Sequence, residues 1–279
     1  MVAAGALVAQ QVAGKATRDA LFLSSFPVSS LPLAMIASAI ASALAVIGFS
    51  AALARRAPAR VVPVALAAGT VLLLAEWGLS ATHPRLAAAA VYLHMAIFGA
   101  TVLSMFWSLV SEMFDPYTAR RVMDRIGLGA SLGGVAGGLA AWSAAFLVPV
   151  PAMLALVAAF NVAALVAVAR AGALSAAPVG RGAAATTPRS GLRVLRETPY
   201  LRDLAVIVAL GAAAETLLDY LLSAQAAAAY HRGPELMSFF ALFHGGVGLL
   251  ALGAQLAFSR AALRGLGLAG TVSLRPAAV

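Results

Sequence analysis

Apolar runs of about 20 residues, the length a helix needs to cross a bilayer, recur along this chain between short polar or proline-marked breaks. The pattern predicts eight spans, the first over residues 1–23 and the second over 33–54, with a turn between them marked by Pro27, Pro32 and four serines. The third covers 61–80, with Glu76 near its end, and the fourth covers 86–110. Residues 117–127, with Arg120, Arg121, Asp124 and Arg125, read as a polar connection to a glycine-rich fifth span over 128–148. After Pro149 and Pro151 the sixth span runs to residue 170. The seventh covers 204–230 and the eighth 236–258, while 264–279 is too short and interrupted for a secure ninth.

The first span breaks its own pattern. Lys15, Arg18 and Asp19 stand at i, i+3 and i+4, so a helix gathers them on one face. Charges inside a membrane span are costly and usually face a cavity or a bundle interior. Between the sixth and seventh spans the composition changes to Gly, Pro, Ser, Thr and Arg. This predicts a bundle over 1–170, a basic linker over 171–202 and a second transmembrane unit over 203–279. The linker reads as flexible through 188, with a short surface helix at 192–196.

Composition agrees with the spans. Of 279 residues, 62% are hydrophobic and only 10% charged, against about 25% charged in soluble domains. An all-α, polytopic membrane protein follows. The chain has no cysteine, which excludes disulfides and thiolate metal sites. The net charge of +9 comes from arginines concentrated in alternate loops, which places the N-terminus and the linker in the cytoplasm. That distribution explains the basic balance without nucleic acid. The first apolar run lacks a preceding basic region and a cleavage site, so it is expected to be a span rather than a leader.

The two units carry a weak internal repeat, a common feature of secondary transporters. Asp19-Ala20-Leu21-Phe22-Leu23-Ser24 matches Asp219-Tyr220-Leu221-Leu222-Ser223, and each aspartate has an ionisable residue four positions earlier, Lys15 or Glu215. Gly48 precedes Arg55 by the same interval as Gly253 precedes Arg260.

With this architecture the chain resembles the nucleotide (ATP/ADP) translocase family within the major facilitator superfamily. Lys15-x-x-Arg18-Asp19 looks like that family's basic-x-x-Lys-Asp pattern, with arginine where the family has lysine. The run from Trp107 through Ser111-Glu112-Met113-Phe114-Asp115-Pro116 to Arg120-Arg121 and Ile126-Gly127 is similar to the connection between the fourth and fifth spans of bacterial relatives. The resemblance implies a major facilitator-like fold, ATP:ADP-type antiport and a bacterial inner membrane. It also implies twelve helices around a central cavity, so further C-terminal helices or a partner chain are expected to complete it.

The residues themselves leave several roles open. Lys15, Arg18 and Asp19 form either an anion-binding face, with Arg18 as clamp, or a self-neutralising cluster with snorkelling cations. Glu215 and Asp219 serve coupling or gating, or a bridge to Lys15 or Arg18, and Tyr220 and Gln225 can add hydrogen bonds. Glu76 is the best further candidate for coupling. His94, Asn161 and His244 read as interhelical hydrogen-bonding residues. Gly129, Gly133 and Gly137, four residues apart, read as a packing face, with Gly245, Gly246, Gly248 and Gly253 as a facing surface, and not as a phosphate loop. No nucleophile triad, metal-ligand spacing or paired catalytic acid is present, so neither an enzyme nor a cofactor is expected. The expected function is secondary transport of a small anionic solute. Alternatives are a cation- or proton-coupled facilitator of another solute, and a non-transporting membrane module whose linker binds anionic lipid or a partner.

Overall fold

The computed structural model describes residues 1–114, 116–174 and 198–265. They form eight long helices and, among the described residues, no strand. These are α1 (Val2–Ser25), α2 (Leu31–Arg55), α3 (Pro58–Thr82), α4 (Pro84–Met113), α5 (Pro116–Ala144), α6 (Met153–Leu174), α7 (Pro199–Ala229) and α8 (Pro234–Gly265). Five helices begin on a proline (Pro58, Pro84, Pro116, Pro199 and Pro234), whose fixed φ suits the first helical position and whose missing N–H is no loss there. Most of the linker, its expected surface helix at 192–196, and residues 266–279 lie outside the described residues.

One expectation needs correction and another is met in part. The connection expected over 117–127 is the beginning of α5, which starts at Pro116. No glycine or proline interrupts 117–126, so its polar residues ride on a continuous helix. Second, seven helices, α2 to α8, are long and apolar enough to cross a membrane, as in an integral membrane protein. The first predicted span is not among them.

Position explains the exception. α1 is the central helix and packs against α4, α5, α6 and α8. Ala4, Leu7, Ala9, Ala13, Ala16 and Ala20 are all buried along it. A helix surrounded by protein need not be apolar all round, since neighbouring helices can satisfy its polar groups. α2 shows the opposite pattern, exposing Leu33, Ile36, Ile40, Leu44 and Ile47. That outward apolar face is compatible with contact to lipid. α7 is the most weakly attached helix: residues 206–218 are exposed, while Ser223 and Ala226 are buried. Tyr220 packs beside Phe22, Leu31 and Tyr92.

Small residues bring α1, α5 and α8 together. Gly129, Gly133 and Gly137 of α5 meet Met1, Gly5 and Ala9 of α1 backbone to backbone, so a Cβ at any of them would collide. The adjacent face of α5 meets α8, with Gly138 against Gly245 and Gly134 against Gly248. The glycine series is therefore a packing device, as expected, but its partner is α1. Gly245 and Gly248 pair with Gly138 and Gly134, whereas Gly246 and Gly253 have open space around them.

Candidate functional site

The charged triplet does lie on one side of α1, but its members have different surroundings. Arg18 binds Asp19, its neighbour in sequence, with Nη2 2.7 Å from Oδ1 and Nε donating to the same oxygen at 2.7 Å. Both side chains are almost covered, at 14% and 8% exposure. The guanidinium also sits over the Tyr92 ring of α4, 4.9 Å from its centroid. Such stacking over an aromatic face is attractive, more so when the cation is desolvated. The Tyr92 ring is held in turn by Phe22, at 4.7 Å between centroids.

The second oxygen of Asp19 faces another helix. His244 of α8 places Nε2 3.5 Å from Asp19 Oδ2. Asp219 of α7 lies within electrostatic reach of both Arg18 and Tyr92. Four helices thus converge on one buried guanidinium and its carboxylate. Arg18 and Asp19 are mutually neutralised.

Lys15 is different. No ion pair or hydrogen bond holds it among the described residues. It lines an open cavity of about 340 Å³ between α1, α5 and α8. The walls include Val8, Val12, Val247 and Ala251, with Gln11, Ser131 and His244 as polar members. The cavity lies half-way along α1, at the level where α8 carries His244. His244 therefore touches both features, lining the cavity and facing Asp19.

A separate polar pair lies between α3 and α4. His94 Nδ1 stands 3.0 Å from both carboxylate oxygens of Glu76, and both residues are buried. His94 Nε2 is buried with no hydrogen-bond partner among the described residues, an unusual state for a polar atom. The ring is pinned by Phe98, edge to face at 4.7 Å. Nearby, Asn161 Nδ2 of α6 donates to the Leu66 carbonyl at 2.9 Å and to Thr70 Oγ1 at 3.0 Å. Asn161 thus makes the interhelical hydrogen bonds expected of it.

The seven site residues chosen from sequence are only partly gathered. Lys15, Arg18 and Asp19 lie together on α1, Asp219 and Tyr220 approach them, and Glu76 stands apart with His94. Glu215 is exposed on α7, and no ion pair joins it to the triplet among the described residues. Tyr92 and Gln11 belong to the site but carried no sequence signal, since their relevance comes from helices meeting across space. His244 was visible as an isolated polar residue in a span, but its link to Asp19 was not.

Among the described residues no three His, Cys, Asp or Glu side chains are grouped to hold a metal ion. No family model, curated protein or solved structure matches the chain.

Proposed function

We propose that this protein is a membrane-embedded secondary transporter for a small anionic solute, working by alternating access. The observation that carries the reading is Lys15, a cation with no counter-ion among the described residues, at the wall of a cavity half-way along the central helix. A lysine at mid-bilayer costs about 3 kcal/mol on insertion scales, so one that faces a cavity with no ion pair among the described residues suits a bound anion. Arg18, one turn further on, is already neutralised by Asp19. It is better suited to a switch than to the first contact with solute.

In this reading the anion meets Lys15 and His244 in the cavity. Drawing His244 towards the solute loosens its contact with Asp19, and so loosens the tie between α8 and α1. Asp219, near Arg18, can then compete with Asp19 for the guanidinium. Substrate is thereby linked to the relative position of α1, α7 and α8. The sequence resemblance suggests nucleotide exchange of the ATP/ADP type in a bacterial inner membrane, and the arginine distribution a cytoplasmic N-terminus and linker.

Reconstituted full-length protein should support saturable counterflow of a labelled anion, tested with both ADP and hexanesulfonate. Lys15→Gln should remove it. Absence of any anion uptake above empty liposomes would reject the reading.

The Glu76–His94 pair favours a second reading, in which solute movement is coupled to protons. Under it, uptake driven by an imposed pH gradient is lost in Glu76→Gln while unenergised exchange persists. Gradient-driven uptake equal to that of the unsubstituted protein would exclude Glu76.

A further inference from the structure

We infer that the solute is an amphipathic monoanion, a single carboxylate or sulfonate on an apolar body, and not a polyanion such as a nucleotide. The inference rests on the anion-transport reading above and specifies its substrate class.

Charge matching comes first. A nucleotide di- or triphosphate carries three or four negative charges and would need several free cations around it. Among the described residues the cavity presents one, Lys15. Arg18 is occupied by Asp19, and His244 already faces the same carboxylate. With Arg18 and Asp19 cancelling, Asp219, within electrostatic reach of Arg18, leaves no surplus positive charge beside Lys15 for a polyanion. One lysine, with Gln11 able to donate hydrogen bonds, matches one acidic head group.

The walls supply the second half of the argument. Val8, Val12, Val247, Ala251 and Ala130 line the cavity beside the single hydroxyl of Ser131, and none of the five can hydrogen-bond a base or a ribose through its side chain. At about 340 Å³ the space lies at the small end for ligand pockets. A base and a ribose would find only Ser131, Gln11 and His244 beside Lys15, so most of their polar groups would lose water without gaining partners. An alkyl or aryl body gains from the same walls, with affinity rising about fourfold for each methylene buried.

Alkylsulfonates test this directly, because they stay ionised and do not leak through the bilayer as neutral acids. Binding of radiolabelled hexanesulfonate to the full chain in nanodiscs should be saturable and at least tenfold tighter than that of methanesulfonate. ADP should compete poorly. Lys15→Gln should weaken hexanesulfonate binding at least tenfold, and Lys15→Arg should restore most of it. Val247→Trp, which fills the cavity without altering charge, should weaken it as well, and guards against misfolding of the lysine variant. An optimum at hexanesulfonate points to a soluble acid, and affinity still rising at dodecanesulfonate points to a lipid-derived one; both support the monoanion. ADP binding more tightly than hexanesulfonate in a Lys15-dependent way would overturn the inference and leave anion transport standing. Hexanesulfonate binding unchanged in Lys15→Gln would overturn it as simple partitioning. If neither anion binds, the transport reading fails with it.

Discussion

His244 on α8 reaches back across the chain to Asp19 on α1, with Nε2 3.5 Å from Oδ2. Asp19 Oδ1 meanwhile holds Arg18. One buried carboxylate therefore joins a cation of its own helix to an imidazole of another. Removing it should leave Arg18 buried without its ion pair, and breaking a buried pair typically costs about 3–5 kcal/mol. Asp19→Ala is expected to lower the thermal unfolding temperature markedly in detergent. The double variant Arg18→Leu/Asp19→Leu should recover much of the loss, because an apolar pair leaves no buried charge. A double variant no more stable than Asp19→Ala would show that the pair itself holds α1 in place.

The seam between α1 and α5 gives a contrast between neighbouring glycine sites. A Cβ at Gly133 meets the backbone of Gly5, which cannot move aside without shifting the helix. Gly133→Val should therefore prevent close packing and reduce the yield of folded protein. Gly246→Ala, in open space, should be neutral or slightly stabilising, since alanine is the better helix former by about 1 kcal/mol. Size-exclusion profiles and melting curves of the two variants test the assignment. Similar behaviour at both positions would contradict it.

Glu76 and His94 test whether the second polar pair matters for stability. Glu76→Leu would leave a buried imidazole with neither ring nitrogen satisfied among the described groups, and an unmet buried polar group costs about 1–3 kcal/mol. Glu76→Gln keeps an acceptor within reach of Nδ1 and should cost less. Thermal melts should rank the variants as wild type, then Gln, then Leu. A leucine variant as stable as wild type would mean that the pair contributes nothing to the fold.

Gly233 has φ of +95° in the turn before α8, and its N–H donates to Ser24 Oγ at 3.0 Å. This fastens the α7–α8 turn to the C-terminal end of α1. Gly233→Val forces a branched side chain into the left-handed region, at about 1–2 kcal/mol. Ser24→Ala removes only the bond, at about 1 kcal/mol. Thermal melts should show the glycine variant to be the more damaged of the two.

The helices were legible because apolar runs of span length are a strong signal and prolines mark their starts. α5 was read too short because its first turns are polar, and polarity resembles a loop when only hydropathy is followed. α1 was read as a span like the others, although Gln10, Gln11 and the triplet already distinguish it. Its central position follows from packing against four neighbours, which a linear pattern does not record. The same limit applies to the site. Lys15, Arg18 and Asp19 stood out because charge in an apolar segment is rare, and Asp219 because it repeats Asp19. The repeat also put Glu215 forward, yet it is exposed while Asp219, one turn on, comes within reach of Arg18. Tyr92 and Gln11 were hidden by their ordinary chemistry. What changed most is the division of labour: Arg18 is spent on Asp19, and Lys15 is the member of the triplet with no ion pair among the described residues.

That division is tested most directly by comparing Lys15→Gln with the unsubstituted protein in the same proteoliposomes. Lys15 has no ion pair among the described residues to lose, so its replacement should leave the melting temperature within about 2 °C. Saturable anion counterflow should nevertheless fall at least tenfold, equivalent to about 1.4 kcal/mol of lost interaction. Counterflow at the original rate in a stably folded Lys15→Gln variant would contradict the account.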